Sequence, residues 1–256
     1  MQHDHAGQPA TTIADKLLLT FLSFDTDLFH FKCGKLEVLE ASVTQTDLQS
    51  VMAAARQAAY QHIVVKIPAE WVQVAHQLEN NGFRFMLSTV CLTKNIANKG
   101  DLPTGVCLGS EQDLNRLLVI SQEAFSEGTR FFLDPMYARD RVQTLYQRWV
   151  TEEIIKNKAT ILMHQHQGEL TGFATLAHGG NLGENGRVGF FAVARRFRQQ
   201  GIGNRLLAGL EWHGWSDLRQ ITATTENINY GALKSYGRNG FFATGLWNVF
   251  HWHAEG

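Results

Sequence analysis

Residues 187–210 read Arg187-Val-Gly-Phe-Phe-Ala-Val-Ala-Arg-Arg-Phe-Arg-Gln-Gln-Gly-Ile-Gly-Asn-Arg-Leu-Leu-Ala-Gly-Leu210. The segment from Val188 to Val193 is apolar, β-branched and aromatic, which is typical of a buried strand. Leu206 and Leu210 lie one helical turn apart, as in an amphipathic helix. A short loop with two glycines joins the two segments. The stretch therefore predicts a strand, a tight loop and a helix.

The loop Arg198–Gly203 is suited to binding an anion. The first N–H groups of a helix have no intrahelical partner, and the helix dipole adds positive potential at the same end. Gly201 and Gly203 allow the backbone to approach a phosphate closely. The spacing fits neither a Walker A loop nor the three-glycine dinucleotide pattern. The alternative is an ordinary glycine turn at the start of a helix.

This stretch resembles the acyl-CoA-binding motif of the GCN5-related N-acetyltransferase (GNAT) superfamily, Arg/Gln-x-x-Gly-x-Gly/Ala, here Arg198-x-x-Gly201-x-Gly203. The resemblance implies acetyl-CoA as co-substrate, with its pyrophosphate on the loop amides and its pantetheine beside the end of the strand. The coenzyme-binding residues implied in this stretch are Phe191, Ala192, Val193, Arg198, Gln199, Gln200, Gly201, Ile202, Gly203 and Asn204.

A second motif of the same family lies downstream, Asn-x-x-Ala-x-x-x-Tyr, matched by Asn229, Ala232 and Tyr236. The resemblance implies that Asn229 contacts the coenzyme and that Tyr236 protonates the leaving thiolate as general acid. The alternative is a helix tyrosine that only packs under the sheet. His164, His166 and His178 lie on or beside the predicted hairpin strands and could accept a proton, but histidines in such positions are more often structural. No general base is assigned, and a water relay is an open alternative.

The segment Ser126-Glu-Gly-Thr-Arg130-Phe131, followed by Tyr137, Tyr146 and Trp149, resembles the dTDP-fucosamine acetyltransferase subgroup, as does the opening Phe24–Phe31. Those enzymes acetylate the 4-amino group of a nucleotide-linked deoxysugar. The resemblance implies substrate binding by Arg130, for which a solvated loop charge is the alternative. The strand 83–93 departs from the pattern because it carries no carboxylate where related sugar enzymes place a glutamate, so an acceptor different from theirs is an open alternative.

Composition excludes several classes of protein. The formal net charge is −1, so no basic field points to nucleic acid. The three cysteines lack metal-ligand spacing, so we expect no metal and a reducing cytoplasm. Neither a signal peptide nor an apolar run long enough to span a bilayer is recognised. A homodimer is left open.

The order of elements indicates an α/β protein. Over residues 104–253 the sequence predicts β-α-α-β-β-β-α-β-α-β-β, the order of the GNAT acyl-CoA N-acyltransferase fold, with a mixed central sheet flanked by helices. Within the first half, we expect a helix from Asp47 to Tyr60 capped by Thr46, and a helix opened by Pro68. The last two strands are predicted at 241–244 and 247–252.

The two halves of the sequence echo each other. Asn81-Gly82-Phe83 recurs as Asn239-Gly240-Phe241, 158 residues later, after a similar strand and helix. We therefore expect an incomplete GNAT-like N-terminal domain at 13–98 without a glycine-rich loop, and a complete acetyltransferase domain at 99–256. Chance recurrence of a tripeptide is the alternative.

The sequence as a whole predicts an N-acetyltransferase that uses acetyl-CoA to acetylate a small amine. The family resemblance implies that this amine is the amino group of a nucleotide-linked amino sugar. Acetylation of a protein N-terminus or an antibiotic is the alternative enzyme activity. A non-catalytic acyl-CoA sensor is the alternative from another class of protein.

Overall fold

The computed structural model of the protein describes residues 10–96, 100–125, 129–214 and 217–254, which form eleven strands and eight α-helices. The strands are β1 (Ala10–Ala14), β2 (Leu17–Phe21), β3 (Cys33–Val38), β4 (His62–Pro68), β5 (Arg84–Asn95), β6 (Val106–Leu108), β7 (Thr160–His166), β8 (Glu169–His178), β9 (Asn185–Val193), β10 (Gln220–Glu226) and β11 (Phe242–His253). The helices are α1 (Ser23–Phe29), α2 (Gln45–Gln57), α3 (Val72–Asn80), α4 (Leu114–Ala124), α5 (Arg130–Leu133), α6 (Arg139–Ile155), α7 (Ile202–Gly214) and α8 (Tyr230–Arg238).

The chain divides into two compact units. The N-terminal unit comprises Gln2–Thr89, Leu133–Ala138 and Gly245–Gly256, and the C-terminal unit comprises Val90–Phe132 and Arg139–Thr244. This division differs from the predicted boundary between residues 98 and 99. The reason is backbone hydrogen bonding, because Trp247–His253 of β11 pairs antiparallel with β4 and so joins the end of the chain to the N-terminal unit.

In the N-terminal unit the strands follow the order β1-β2-β3-β4-β11. β3 is parallel to β4, and β11 is antiparallel to it. The β-branched residues of β4 suit this central position, where both faces of a strand are covered. The helices α2 and α3 contribute Leu48 and Leu78 to the core, where they are fully buried with Ile63, Ile67 and Phe250.

In the C-terminal unit the strands follow the order β5-β10-β9-β8-β7-β6. Neighbours from β6 to β9 are antiparallel, whereas β9 and β10 are parallel, so the sheet is mixed as predicted. Leu206, Leu207 and Leu210 place the apolar face of α7 in the core of this unit. Among the described residues, no helix combines the length and apolar character that crossing a bilayer requires.

Three expectations about single elements are wrong. The cap of α2 is Thr44 rather than Thr46, because Thr44 and Asp47 form a reciprocal capping box. Pro68 ends β4 instead of opening a helix, since the next N–H, that of Ala69, donates to the carbonyl of Leu246. The two final strands are one continuous strand, β11.

The 158-residue echo extends to whole elements. β4, α3 and β5 begin and end 158 residues before β10, α8 and β11, respectively. The Asn-Gly-Phe turns also match in detail, since the side-chain amides of Asn81 and Asn239 each donate to a helix carbonyl at 2.8 Å. Gly82 and Gly240 adopt positive φ values of 85° and 77°, which favour glycine. The repeat is therefore one of structure as well as of sequence.

Candidate active site

The loop before α7 offers a row of unused backbone donors. The first helical hydrogen bond of α7 runs from Arg205 N–H to the carbonyl of Gly201. None of the N–H groups from Gln199 to Asn204 donates to another described residue. Gln199 and Gly201 have positive φ values of 65° and 78°, so the loop is tightly curved. Six consecutive amides and the helix dipole thus form a site suited to an anion.

Arginine side chains add positive charge around this loop. Arg198 donates from Nε to the carbonyl of Val193 at 3.2 Å, which anchors its exposed side chain beside the end of β9. Arg196 forms an ion pair with Glu169, so part of its charge is compensated. Of the two glycines, Gly203 is the closely packed one, since an added Cβ would lie 3.0 Å from the ring of Phe191.

The end of β9 has an available edge. β10 pairs with β9 only at Asn185–Arg187, whereas β8 pairs with β9 as far as Val193. On the side of β10, the segment from Val188 to Val193 therefore has no partner strand in the described part of the chain. Such an edge can accept hydrogen bonds from an extended, amide-containing ligand. The predicted residues Phe191, Ala192 and Val193 lie along it.

Tyr236 is buried in α8, with 4% of its surface exposed. Its ring lies 5.6 Å from that of Phe191 and 5.0 Å from that of Phe241. Burial raises the pKa of Tyr236 well above its ordinary value near 10, so the hydroxyl stays protonated at neutral pH. The hydroxyl has no hydrogen-bond partner among the described residues, and can therefore act as a donor toward a ligand that reaches it.

Asn229 caps α8. Its side-chain oxygen accepts from the N–H of Ala232 at 3.2 Å, which satisfies one of the first amides of the helix. The residue is exposed. The sequence did not predict this capping role, and the expected contact with a coenzyme stays a prediction.

Packing brings the two sequence motifs together in the C-terminal unit. Phe191 of β9 contacts both Gly203 of α7 and Tyr236 of α8. The amide of Asn239, at the end of α8, donates to Asn204 at 3.1 Å, in the first turn of α7. The glycine loop and the candidate acid therefore lie on adjoining elements, as an acyl-transfer site requires.

Arg130 is half-buried at the start of α5. Its N–H donates to Glu226 at the end of β10, and its guanidinium lies 4.4 Å from the ring centroid of Phe131. The segment Ser126–Gly128, part of the motif that suggested substrate binding, lies outside the described residues. Glu226, the last residue of β10, carries no local motif and was not predicted as part of the site.

His164 is an unsuitable general base. Its Nδ1 lies 2.6 Å from Thr171 Oγ1, and Arg205 donates to its Nε2 at 3.3 Å. Burial, with help from the charge of Arg205, lowers the pKa of His164. Both ring nitrogens are therefore engaged in hydrogen bonds within the protein. His166 and His178 stay without an assigned role.

Comparisons with known proteins agree with this geometry. Residues 118–241 match the family model described as "Acetyltransferase (GNAT) family". The spore coat polysaccharide biosynthesis protein SpsD of Bacillus subtilis (strain 168) is 25% identical over 193 residues, which are 74% of this chain and 65% of SpsD. The chain thus aligns with less than two thirds of that relative's length.

Solved structures share the fold. A GCN5-related N-acetyltransferase from Sphaerobacter thermophilus has a TM-score of 0.63 at 14% identity, covering 93% of this chain and 76% of that one. A tandem GNAT protein from the clavulanic acid biosynthesis pathway has a TM-score of 0.59 at 15% identity, covering 94% and 79%. At such low identity these likenesses establish the GNAT fold only.

Proposed function

We propose that this chain, whose residues 118–241 match the GNAT family model, transfers an acetyl group from acetyl-CoA to the amino group of a nucleotide-linked amino sugar. The match to the acetyltransferase family model supports the reaction and its co-substrate. The acceptor and the assignment of individual residues are the proposal.

The row of free amides from Gln199 to Asn204 carries the proposal. Pyrophosphate is a dianionic group that needs several donors converging from one side, and six backbone N–H groups at the start of α7 supply them. The uncovered edge of Phe191–Val193 is suited to the two amides of pantetheine. The residues present therefore fit acetyl-CoA at both of its polar regions.

Tyr236 is assigned the role of general acid. When an amine attacks the thioester, negative charge gathers on the sulfur as the carbon–sulfur bond breaks, and a proton on that sulfur completes the departure of the thiol. Tyr236 holds its proton at neutral pH because burial raises its pKa. Positioning of the two substrates by β9 and α7 supplies the remaining acceleration.

The choice of acceptor is supported by two observations. The curated relative SpsD is named for spore coat polysaccharide biosynthesis, which fits a sugar substrate. Arg130 provides a cation near the end of β10, and a nucleotide-linked sugar carries phosphate for it to bind. A protein N-terminus or an antibiotic would not require that cation.

The N-terminal unit is proposed to be an incomplete GNAT-like copy that does not bind the coenzyme. In α2, Asp47 accepts the N–H of Thr44 at 2.9 Å, while Thr44 accepts the N–H of Asp47. At the start of α2, the Thr44 hydroxyl and the Asp47 carboxylate thus bind amides of the kind that are free at the start of α7. A second anion would be repelled there.

The function is tested by free-thiol release from acetyl-CoA with a panel of acceptors. The panel contains a dTDP-linked 4-amino deoxysugar, the same sugar without its nucleotide, peptides with free N-termini and an aminoglycoside. We expect release with the nucleotide-linked sugar to exceed the others by at least ~100-fold, since phosphate recognition and amine positioning are then both satisfied. Equal or greater release with a peptide would reject the sugar, and no release with any amine would favour the non-catalytic sensor.

A further inference from the structure

Three histidines share one face of the ribbon formed by β4 and β11 in the N-terminal unit. His62, the first residue of β4, is paired directly with His253 of β11. His251 precedes His253 by two residues and so points to the same face. Directly opposed side chains on one face of an antiparallel pair lie close together. The register of these two strands therefore gathers three imidazoles.

Asp134 completes the cluster from the segment Leu133–Ala138 of the same unit. Its Oδ2 lies 2.6 Å from Nδ1 of His251, 3.0 Å from Nε2 of His253 and 4.0 Å from Nε2 of His62. Its other oxygen, Oδ1, accepts the N–H of Met136 at 3.0 Å. One carboxylate oxygen is thereby fixed by the backbone, and the other is turned toward the imidazoles.

We propose that His62, Asp134, His251 and His253 bind one divalent metal ion of the zinc class. The four candidate ligand atoms lie within 4.8 Å of one another. Zinc–ligand bonds of ~2.0–2.1 Å place the corners of a tetrahedron about 3.3 Å apart. The three separations measured from Asp134 Oδ2, 2.6 to 4.0 Å, bracket that value. Rotation of the side chains would bring the four ligand atoms to that spacing.

The chemistry of the donor set selects the metal. Three imidazole nitrogens and one carboxylate oxygen suit zinc and similar transition metals, whereas calcium and magnesium prefer oxygen ligands alone. Four protein ligands fill a tetrahedral site and leave no open position for substrate. The site is accordingly structural, and it ties the segment Leu133–Ala138 to β4 and β11.

Surrounding groups support the ligands, as a metal site requires. The Tyr137 hydroxyl lies 3.0 Å from Nε2 and 3.2 Å from Nδ1 of His62. It can therefore form a hydrogen bond with the ring nitrogen that does not bind the metal. His62, Asp134 and His251 are at most 2% exposed, whereas His253 is 28% exposed. A cavity of about 1540 Å³ in the N-terminal unit is lined in part by Asp134 and His253, and it provides an entry path for the ion.

The same side chains without a metal would form an ion pair between Asp134 and a protonated histidine, and metal affinity distinguishes the two arrangements. The full-length chain is stripped with a chelator and then titrated with Zn²⁺ alone by calorimetry. We expect one tight equivalent per chain and a rise in Tm on binding, because the ion binds the folded state. Titration with Co²⁺ should give the intense visible absorption of tetrahedral coordination.

Variants identify the ligands. His253→Ala, at the least buried ligand, and Asp134→Asn should each weaken Zn²⁺ binding by at least ~100-fold. His76→Ala, in α3 of the same unit, should leave the affinity unchanged. A double variant His3→Ala/His5→Ala should also keep the tight site, which excludes chelation near the N-terminus.

Three results would overturn the site. They are the absence of a tight equivalent in the wild-type chain, a His253→Ala variant that is folded and binds normally, and loss of binding in the His3/His5 variant. If both ligand variants fail to fold, the Co²⁺ spectrum of the wild-type chain decides, because octahedral absorption at one equivalent contradicts a tetrahedral site.

Discussion

At the scale of single residues, Tyr236 combines a structural and a proposed chemical role. Its ring packs between Phe191 and Phe241, and its hydroxyl stays protonated because burial raises its pKa. A phenylalanine at this position would pack equally well. The hydroxyl is therefore the part of the side chain on which the assignment depends.

Tyr236→Phe should leave the fold and the acetyl-CoA affinity unchanged while kcat falls by ~10²-fold or more, because only the proton donor is removed. Steady-state kinetics with the true acceptor measure this. Tyr230→Phe, in the same helix at 75% exposure, is the control and should behave as wild type. A Tyr236→Phe variant with near-normal kcat, when chemistry is rate-limiting, would reduce Tyr236 to a packing residue.

The residues of the loop before α7 were predictable from local motifs, whereas the contacts between elements depend on tertiary packing. Arg198, Gly201 and Gly203 are recognisable because their spacing alone encodes the turn into a helix. The contact between Phe191 and Gly203 was not predictable, since it depends on how β9 lies against α7. The cluster at Asp134 was missed for the same reason, because His62 and His253 meet only through the pairing register of β4 and β11.

At the scale of elements, the start of each helix determines what it can bind. The side chains of Thr44 and Asp47 cap the N-terminus of α2, whereas the first amides of α7 have no partner among the described residues. α8 uses Asn229 as its cap. The limits of α8 are set by the Asn229 cap at its start and by the Asn239-Gly240 turn at its end. Thr46 was mistaken for the cap of α2 because Thr44 and Thr46 both lie near the start of that helix, and only the capping box with Asp47 distinguishes them.

Substitutions at Asn229 separate its capping role from the proposed contact with the coenzyme. Asn229→Ala should lower the free energy of unfolding by ~1 kcal/mol, whereas Asn229→Ser retains a capping oxygen and should lose little stability. Chemical denaturation measures both. If the amide also contacts acetyl-CoA, both variants should bind it more weakly. Normal binding by the serine variant would leave Asn229 as a cap only.

At the scale of the whole molecule, the 158-residue offset relates three consecutive elements of one half to three of the other. In the sequence this repeat is marked by the tripeptide Asn-Gly-Phe, because the turn that ends a helix restricts residue types more tightly than a strand does. The sequence did not signal that β11 would complete the N-terminal unit, because strand pairing over a separation of nearly 190 residues leaves no local pattern. Because Thr44 and Asp47 cap the start of α2 while the first amides of α7 are free among the described residues, we expect one coenzyme per chain.

The central claim is that acetyl-CoA binds at the start of α7, and calorimetry on Asn204→Asp tests it most directly. Asn204 is the third residue of α7 and accepts from Asn239 at 3.1 Å, which aspartate can also do. The added charge should raise the free energy of unfolding by ~0.3–1 kcal/mol through the helix dipole, yet repel the pyrophosphate.

The account predicts one acetyl-CoA site per wild-type chain and an affinity at least ~10-fold weaker in Asn204→Asp, equivalent to ~1.4 kcal/mol. Asn115→Asp makes the same change of charge in the first turn of α4, where the side chain is exposed, and should bind as wild type does. Unchanged affinity in a folded Asn204→Asp variant, or two sites per wild-type chain, would contradict the account.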